Sequence, residues 1–329
     1  MKEVWIFIEQ EDLNIHPVSF ELLGIGKKLA VDLNGKVAAL LLGHRVKPLL
    51  EEIFAYGADK IYFLEHEVLR YYRHIPYVYA LTHLAKKYRP EIFLIGATSL
   101  GRDLAGGVAT HLETGLTADV TELSIDPDTK NLLMTRPAYG GNIMATIICP
   151  KHRPQMATVR PRVFPIPEKR EGYLGEVVEE KIELSEEMAG VERLGFLPKE
   201  KTVNLEYAEV IVAGGRGIGG KDGFEILREL TRLLKGEVGA SRLAVEAGWI
   251  SYEHQVGQTG KTVRPKVYLA FGISGAIQHR AGMQNSDYII AVNTDPEAPI
   301  FKIADLGIIG DWKEVALALI KALKDRGAS

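Results

Sequence analysis

"AEVIVAGGRGIGGKDGFEILRELTRLL", residues 208–234, decides the fold. An apolar, β-branched run ends in Gly215-x-Gly217-x-x-Gly220, and a segment of helical period follows at once. Strand, glycine turn and helix in this order open a βαβ unit, which implies a parallel sheet. A helix that starts on such a turn presents free backbone N–H groups. With Arg216 beside them, the segment reads as a phosphate cradle; the alternative is a glycine-rich turn with no ligand. An NAD-binding fold also needs an acidic residue ending the second strand. Here that strand lies in "GEVGAS" (236–241) and ends in Ala240 and Ser241, so the fingerprint is incomplete.

The pattern extends both ways. Downstream, "GEVGASRLAVEAGWI", "KVYLAFGISGAIQH" and "YIIAVNTD" repeat the alternation, and a closing helix is expected near 311–325. Upstream, apolar runs at 3–9, 36–42, 60–64 and 91–96 alternate with helix-period segments near 18–33, 47–55 and 74–88. "GATSLGRDLAGGVATHLETGLTADVTEL" adds a turn, a helix and a strand. "LLMTRPAYGGNIMATIICP" (132–150) reads as a hairpin turning at Gly140 and Gly141. From about 165 the chain becomes charged and proline-containing, which suggests the end of one domain and a linker near 165–202. The prediction is an α/β protein of two domains, 1–202 and 203–329. Each is a mainly parallel sheet flanked by helices, and the second is Rossmann-like.

Composition sets the outer limits. Among 329 residues, 46% are hydrophobic and 25% charged, as in ordinary globular proteins. A net charge of −3 argues against a role driven by nucleic-acid electrostatics. Cys149 is the single cysteine, which leaves no intramolecular disulfide or cysteine-based metal cluster and fits a reducing compartment. "MKEVWIFIEQEDL" reads as a first strand rather than a signal peptide, and no apolar run of 18 residues occurs, so a cytoplasmic placement is expected. Residues 203–329 hold 17 glycines against 16 in residues 1–202. Glycine is costly inside regular elements, so this enrichment places a ligand in the second domain.

Several polar residues gather at the expected strand ends. Ser241 either caps a helix or meets a ligand, and Arg242 at a crevice mouth suits an anion. "YEHQVGQTGKTVRP" offers Gln255, Gly257, Gln258 and Thr259 on a glycine-flanked loop, able to hydrogen-bond a heteroaromatic edge or to serve as plain surface. "YLAFGISGAIQHRAGMQ" (268–284) runs a buried strand into Gly272, Ser274, Gly275 and Ala276, then offers Gln278 and His279. A lone histidine is more often structural than functional. Asn293 and Asp311 suit either hydrogen bonds to an adenosine or ordinary turns. No metal-ligand spacing and no nucleophile–base pair is found, so hydrolase chemistry has no support.

Taken in order, "VAGGRGIG", "GASRLAVEAGW", "QVGQTGK", "GISGAIQHRAGM" and "VNTDPEAPIFKIADLGIIGD" resemble the α subunit of electron transfer flavoprotein. "GATSLGRDLA", "GLTADVTEL" and "RPQMATVRP" resemble the same family, especially its anaerobe and nitrogen-fixation branch. The resemblance implies a non-covalently bound FAD in the second domain and a heterodimer with a β subunit. It also implies redox partners such as an acyl-CoA dehydrogenase or a quinone oxidoreductase, or else an electron-bifurcating complex fed by NADH. It assigns Arg216, Ser241 and Ser274 to the pyrophosphate region, and Gln258 and Thr259 to the flavin ring, Thr259 near N5. Arg242 is implied to pack over the isoalloxazine, with Gln278 and His279 in the flavin loop and His279 addressing N1 and O2. Asn293 and Asp311 fall at the adenosine end. The protein then makes and breaks no substrate bond with its own side chains. The rival reading is an NAD-using enzyme of similar architecture, supported by the glycine turn alone.

Overall fold

A computed structural model describes residues 2–138, 143–195 and 203–327. The chain divides into two compact units, Met1–Phe196 and Leu197–Ser329.

The first unit is a seven-stranded, all-parallel sheet. In chain order its strands are β1 (Glu3–Phe7), β2 (Lys36–Gly43), β3 (Lys60–Glu65), β4 (Ile92–Gly96), β5 (Leu116–Val120), β6 (Gln155–Val159) and β7 (Glu176–Glu180), and their spatial order is β7-β3-β2-β1-β4-β6-β5. Side chains alternate across a strand, so β1 feeds two cores. Val4 and Ile6 pack against the helix Pro17–Asp32 through Leu22, Leu23 and Leu29. Trp5 and Phe7 join the core on the other face, with Leu81 of His74–Tyr88 and Leu104 of Ser99–His111. The expected helices thus cover both faces. The hairpin is present as Leu132–Ala138 paired with Ile143–Ile147, joined by Glu122–Ile125 into a three-stranded antiparallel sheet. The turn expected at Gly140 and Gly141 lies outside the described residues.

Within the stretch expected to link the domains, β7 completes the sheet, pairing Glu176–Glu180 with Lys60–Leu64. Its last residue is anchored: Lys87 Nζ donates to the Glu180 carboxylate at 2.8 Å, and the Tyr88 hydroxyl donates to it as well.

The winding of this sheet reverses between β1 and β4, the place where open α/β folds bind ligands. Here that crevice is bridged from within. Thr98, just after β4, donates to the Glu9 carboxylate at 2.6 Å, and the Thr98 hydroxyl also accepts from the Gly101 N–H.

The second unit is a five-stranded parallel sheet of β8 (Val210–Gly214), β9 (Glu237–Ala240), β10 (Val267–Phe271), β11 (Ile289–Asn293) and β12 (Leu306–Ile309), ordered β9-β8-β10-β11-β12. One face packs on the long helices Lys221–Leu233 and Trp312–Asp325 through Phe224, Leu227 and Ile320. The other face is covered mostly by irregular segments carrying Val256, Ile273, Met283 and Ile300. The winding reverses between β8 and β10, so their carboxyl ends frame the crevice. Among the described residues, no helix is long and apolar enough to cross a membrane.

Candidate functional site: a cleft at the carboxyl edge of the second sheet

At the β8/β10 reversal lies a cleft of about 630 Å³, within the range of small-molecule and cofactor sites. Two glycine turns are pressed together at its floor. A Cβ on Gly215 would lie 2.2 Å from the Gly272 carbonyl oxygen, and the Gly217 N–H donates to that oxygen at 3.0 Å. Gly272 has φ +59, the left-handed region that glycine enters without cost. The glycines therefore serve first to let two strand ends approach each other. Gly220, the last of the motif, has open space around its Cβ position.

The cleft gathers the expected residues from separate elements. From the first turn comes Arg216. The residues after β9 supply Ser241 and Arg242. Ser241 occupies the N-cap position of the short helix Arg242–Glu246, yet its hydroxyl makes no capping bond, so that hydroxyl is available to another acceptor or donor. Arg242 is tied to Glu246, Nε to carboxylate at 2.7 Å.

The loop 255–259 contributes Gln255, Gly257, Gln258 and Thr259. It is held on three sides: the Val256 N–H donates to the Ala240 carbonyl at 2.9 Å, the Gln258 N–H to the Gln278 carbonyl at 2.8 Å, and buried His254 contacts the Val238 carbonyl through Nδ1 at 2.6 Å. The Thr259 hydroxyl accepts from Gln255 Nε2 at 3.0 Å. Its own hydrogen remains to be donated.

After β10 come Gly272, Ser274, Ala276, Gln278 and His279. His279 is only 7% exposed, and its Nε2 lies 3.0 Å from the Tyr268 hydroxyl. Its Nδ1 is buried and has no hydrogen-bond partner of normal geometry. Burial pushes the imidazole down to about 4, and the nearby Val256 main chain only partly opposes this. The ring is thus neutral at pH 7 in the structure, offering hydrogen bonds rather than charge.

Asn293 lines the cleft, but its side chain also builds the turn after β11, donating to the Ile273 carbonyl and accepting from the Asp295 N–H, each at 3.0 Å. Two expected residues lie off the cleft wall. Gly275 (φ +84) packs against the Ile300 backbone. Asp311 caps the helix Trp312–Asp325, accepting from the N–H groups of Lys313 and Glu314.

The structure also adds residues that sequence reasoning missed. Glu246 and Asp295 place two carboxylates on the wall, and Leu243, Val256, Ile273 and Ala298 make part of it apolar. Glu246 was discoverable, because it stands four residues after Arg242 on a helix. Nothing local to the sequence marks Ala298. Among the described residues, no group of three or more His, Cys, Asp or Glu could hold a metal ion.

Three features fit FAD. The cleft is of cofactor size, the Ser241 and Thr259 hydroxyls stand ready to donate, and a buried imidazole nitrogen on its wall lacks a partner.

Comparison with known proteins agrees. The family model described as "Electron transfer flavoprotein domain" matches residues 4–185, and "Electron transfer flavoprotein FAD-binding domain" matches residues 204–284. The chain is 50% identical to the electron transfer flavoprotein subunit alpha of Thermoanaerobacterium thermosaccharolyticum, over 98% of both chains. It is likewise 50% identical to that of Megasphaera elsdenii, over 98% of this chain and 96% of the relative. Against the protein FixB of Azorhizobium caulinodans it is 48% identical, over 99% of this chain and 89% of the relative. The chain belongs to the electron transfer flavoprotein family, among its alpha subunits, and residues 204–284 of its second unit match the family's FAD-binding domain.

Proposed function

We propose that this chain is the FAD-holding half of a heterodimeric electron carrier. It pairs with a β subunit and passes electrons from a dehydrogenase to an acceptor. The observation that carries the reading is the set of unspent donors converging on one cleft at the winding reversal of the second sheet, with Ser241, Thr259 and His279 drawn from three separate segments.

Bound FAD would supply the storage and release of electrons. The chain's own residues would hold it. Arg216, Ser241 and Ser274 would meet the pyrophosphate with a forked cation and two hydroxyls. Gln255 donates to the Thr259 hydroxyl, whose own hydrogen would be left for an acceptor on the ring. His279 offers a neutral, buried polar edge, and Arg242 is the mobile cation at the mouth, restrained by Glu246. The apolar wall of Leu243, Val256 and Ile273 excludes water and strengthens each of these interactions. We take 203–329 as the cofactor domain and the first unit as a main contact for the β subunit. A cytoplasmic placement fits the single cysteine.

The test is an absorbance spectrum of the purified protein, alone and co-expressed with its neighbouring subunit. Flavin bands at one FAD per chain are expected. A colourless protein that stays so after FAD addition, or one that retains a nicotinamide nucleotide instead, would overturn the reading. The finer alternative, bifurcation of electrons from NADH with a second flavin in the β subunit, is supported by the resemblance of "GLTADVT" and "RPQMATVRP" to the anaerobe branch. These two stretches lie side by side as β5 and β6. Flavin reduction when the complex is mixed with NADH is the expected result, and no reduction argues for a simple carrier.

A further inference from the structure

The polar side chain behind His279 has been given no role so far. Tyr268 lies on β10, the middle strand of the second sheet, and is fully buried at 0% exposure. Its ring meets that of His279 edge-on, with centroids 6.1 Å apart and planes at 61°. Its hydroxyl lies 3.0 Å from His279 Nε2 and, among the described residues, makes no other hydrogen bond.

The hydroxyl carries one hydrogen and two lone pairs. A buried hydroxyl hydrogen left without an acceptor loses a bond that water would have provided, whereas a spare lone pair costs little. Were Nε2 the donor, the phenol hydrogen would be orphaned, and Nδ1 would be a bare buried acceptor. With the phenol as donor, the one hydrogen left is that on Nδ1, beside the Val256 main chain, whose carbonyl is an acceptor of marginal geometry. The second arrangement leaves fewer orphans. Burial also keeps the phenol protonated, pushing its ionisation far above the usual range, so the donor is present at every working pH.

We propose that Tyr268 is a positioning residue of the cofactor cleft: its hydroxyl donates to Nε2 of His279, places the ring hydrogen on Nδ1 and fixes the ring plane against the wall. His279 then enters the cleft as a single tautomer, ready-made before any ligand arrives. Pre-set geometry of this kind lowers the ordering cost of binding and makes each hydrogen bond to the ligand more specific. Only the affinity arm of the test rests on the flavin reading of the cleft.

The experiment uses the full chain labelled with ¹⁵N-histidine, the His279 signals being identified by their loss in His279→Gln. In the FAD-free protein at pH 7.5, long-range ¹H–¹⁵N spectra are expected to show a neutral ring with its hydrogen on Nδ1. Tyr268→Phe keeps the ring and removes the hydroxyl; it should give a mixture of tautomers and weaken FAD binding about threefold to tenfold, the usual worth of one buried hydrogen bond. A wild-type His279 carrying its hydrogen on Nε2 would overturn the proposal even if the variant failed to fold. So would a Tyr268→Phe protein with unchanged tautomer and unchanged affinity. If the tautomer is as expected but the wild-type protein binds no FAD, the flavin reading fails, and the positioning of His279 stands for whatever the cleft holds.

Discussion

Glu21 lies in the middle of the helix Pro17–Asp32, at only 2% exposure. Its carboxylate accepts from the Arg162 N–H at 2.9 Å and from the Phe164 N–H at 3.4 Å, holding the chain that leaves β6 against the helix. Burial outweighs these bonds and the Arg162 charge, and pushes the carboxyl up to about 7 from an ordinary 4.5. The sign follows from proton counting. Between pH 4.5 and 7 the folded chain keeps a proton there that the unfolded chain has released, so stability falls as pH rises through this window. The rise from 4.5 to about 7, at about 1.4 kcal/mol per pH unit, makes the loss roughly 3 kcal/mol by pH 7.5. Glu21→Gln cannot ionise and keeps one oxygen for the Arg162 amide. In urea titrations read by pulsed hydrogen exchange on peptides from this helix, so that only the first unit is followed, the wild type should lose stability from pH 5 to pH 8 relative to the variant. The two should nearly coincide at pH 5, and the glutamine protein should be ahead by about 1–3 kcal/mol at pH 8. Parallel pH profiles for the two proteins would refute the reasoning.

His279 gives the opposite slope in the second unit. Its folded value of about 4 lies below the ordinary 6.5, so the unfolded chain binds the extra proton as pH falls from 6.5 to 4, and stability drops over that range; His279→Gln should flatten this limb in a thermal-unfolding series. Gly272→Ala places a Cβ 2.7 Å from the Gly217 carbonyl carbon at φ +59, which should cost at least about 2 kcal/mol and abolish FAD retention, as read by unfolding and by the flavin-to-protein ratio. Glu246→Gln releases Arg242 and removes a carboxylate from the cleft wall, so FAD should bind about twofold to fivefold tighter at low salt, with the gain fading as salt rises in a fluorescence titration. A salt-independent effect would show that the ion pair is irrelevant to binding.

The parallel strands and their helices were legible because their signals are local. β2 is an apolar run between Gly35 and Gly43, β10 is one that ends at Gly272, and the helix Pro17–Asp32 repeats its apolar residues with helical period. β7 was not, because "EVVEE" is charged and its place at the sheet edge rests on backbone pairing with β3, more than a hundred residues earlier. For the cleft, glycines and polar strand ends pointed to the loops that line it. What they could not reveal is which side chains the fold has already committed. Asp311 and Asn293 read as ligand contacts or turn formers, and the structure shows Asp311 capping its helix and Asn293 bonded to Ile273 and Asp295. The roles of Ser241 and Thr259 depend on distances across the cleft that no spacing in one strand encodes. Tyr268 passed as one more core aromatic, since its only partner lies eleven residues away around a turn.

The bond from Thr98 to Glu9 bears on where this polypeptide can take a passenger. Both sheets reverse direction in the manner that usually creates a berth for a phosphate-bearing molecule, but in the first a carboxylate already spans the opening and would repel one. A phosphate-bearing molecule offered to this chain is therefore expected to settle at the reversal of the second sheet rather than the first.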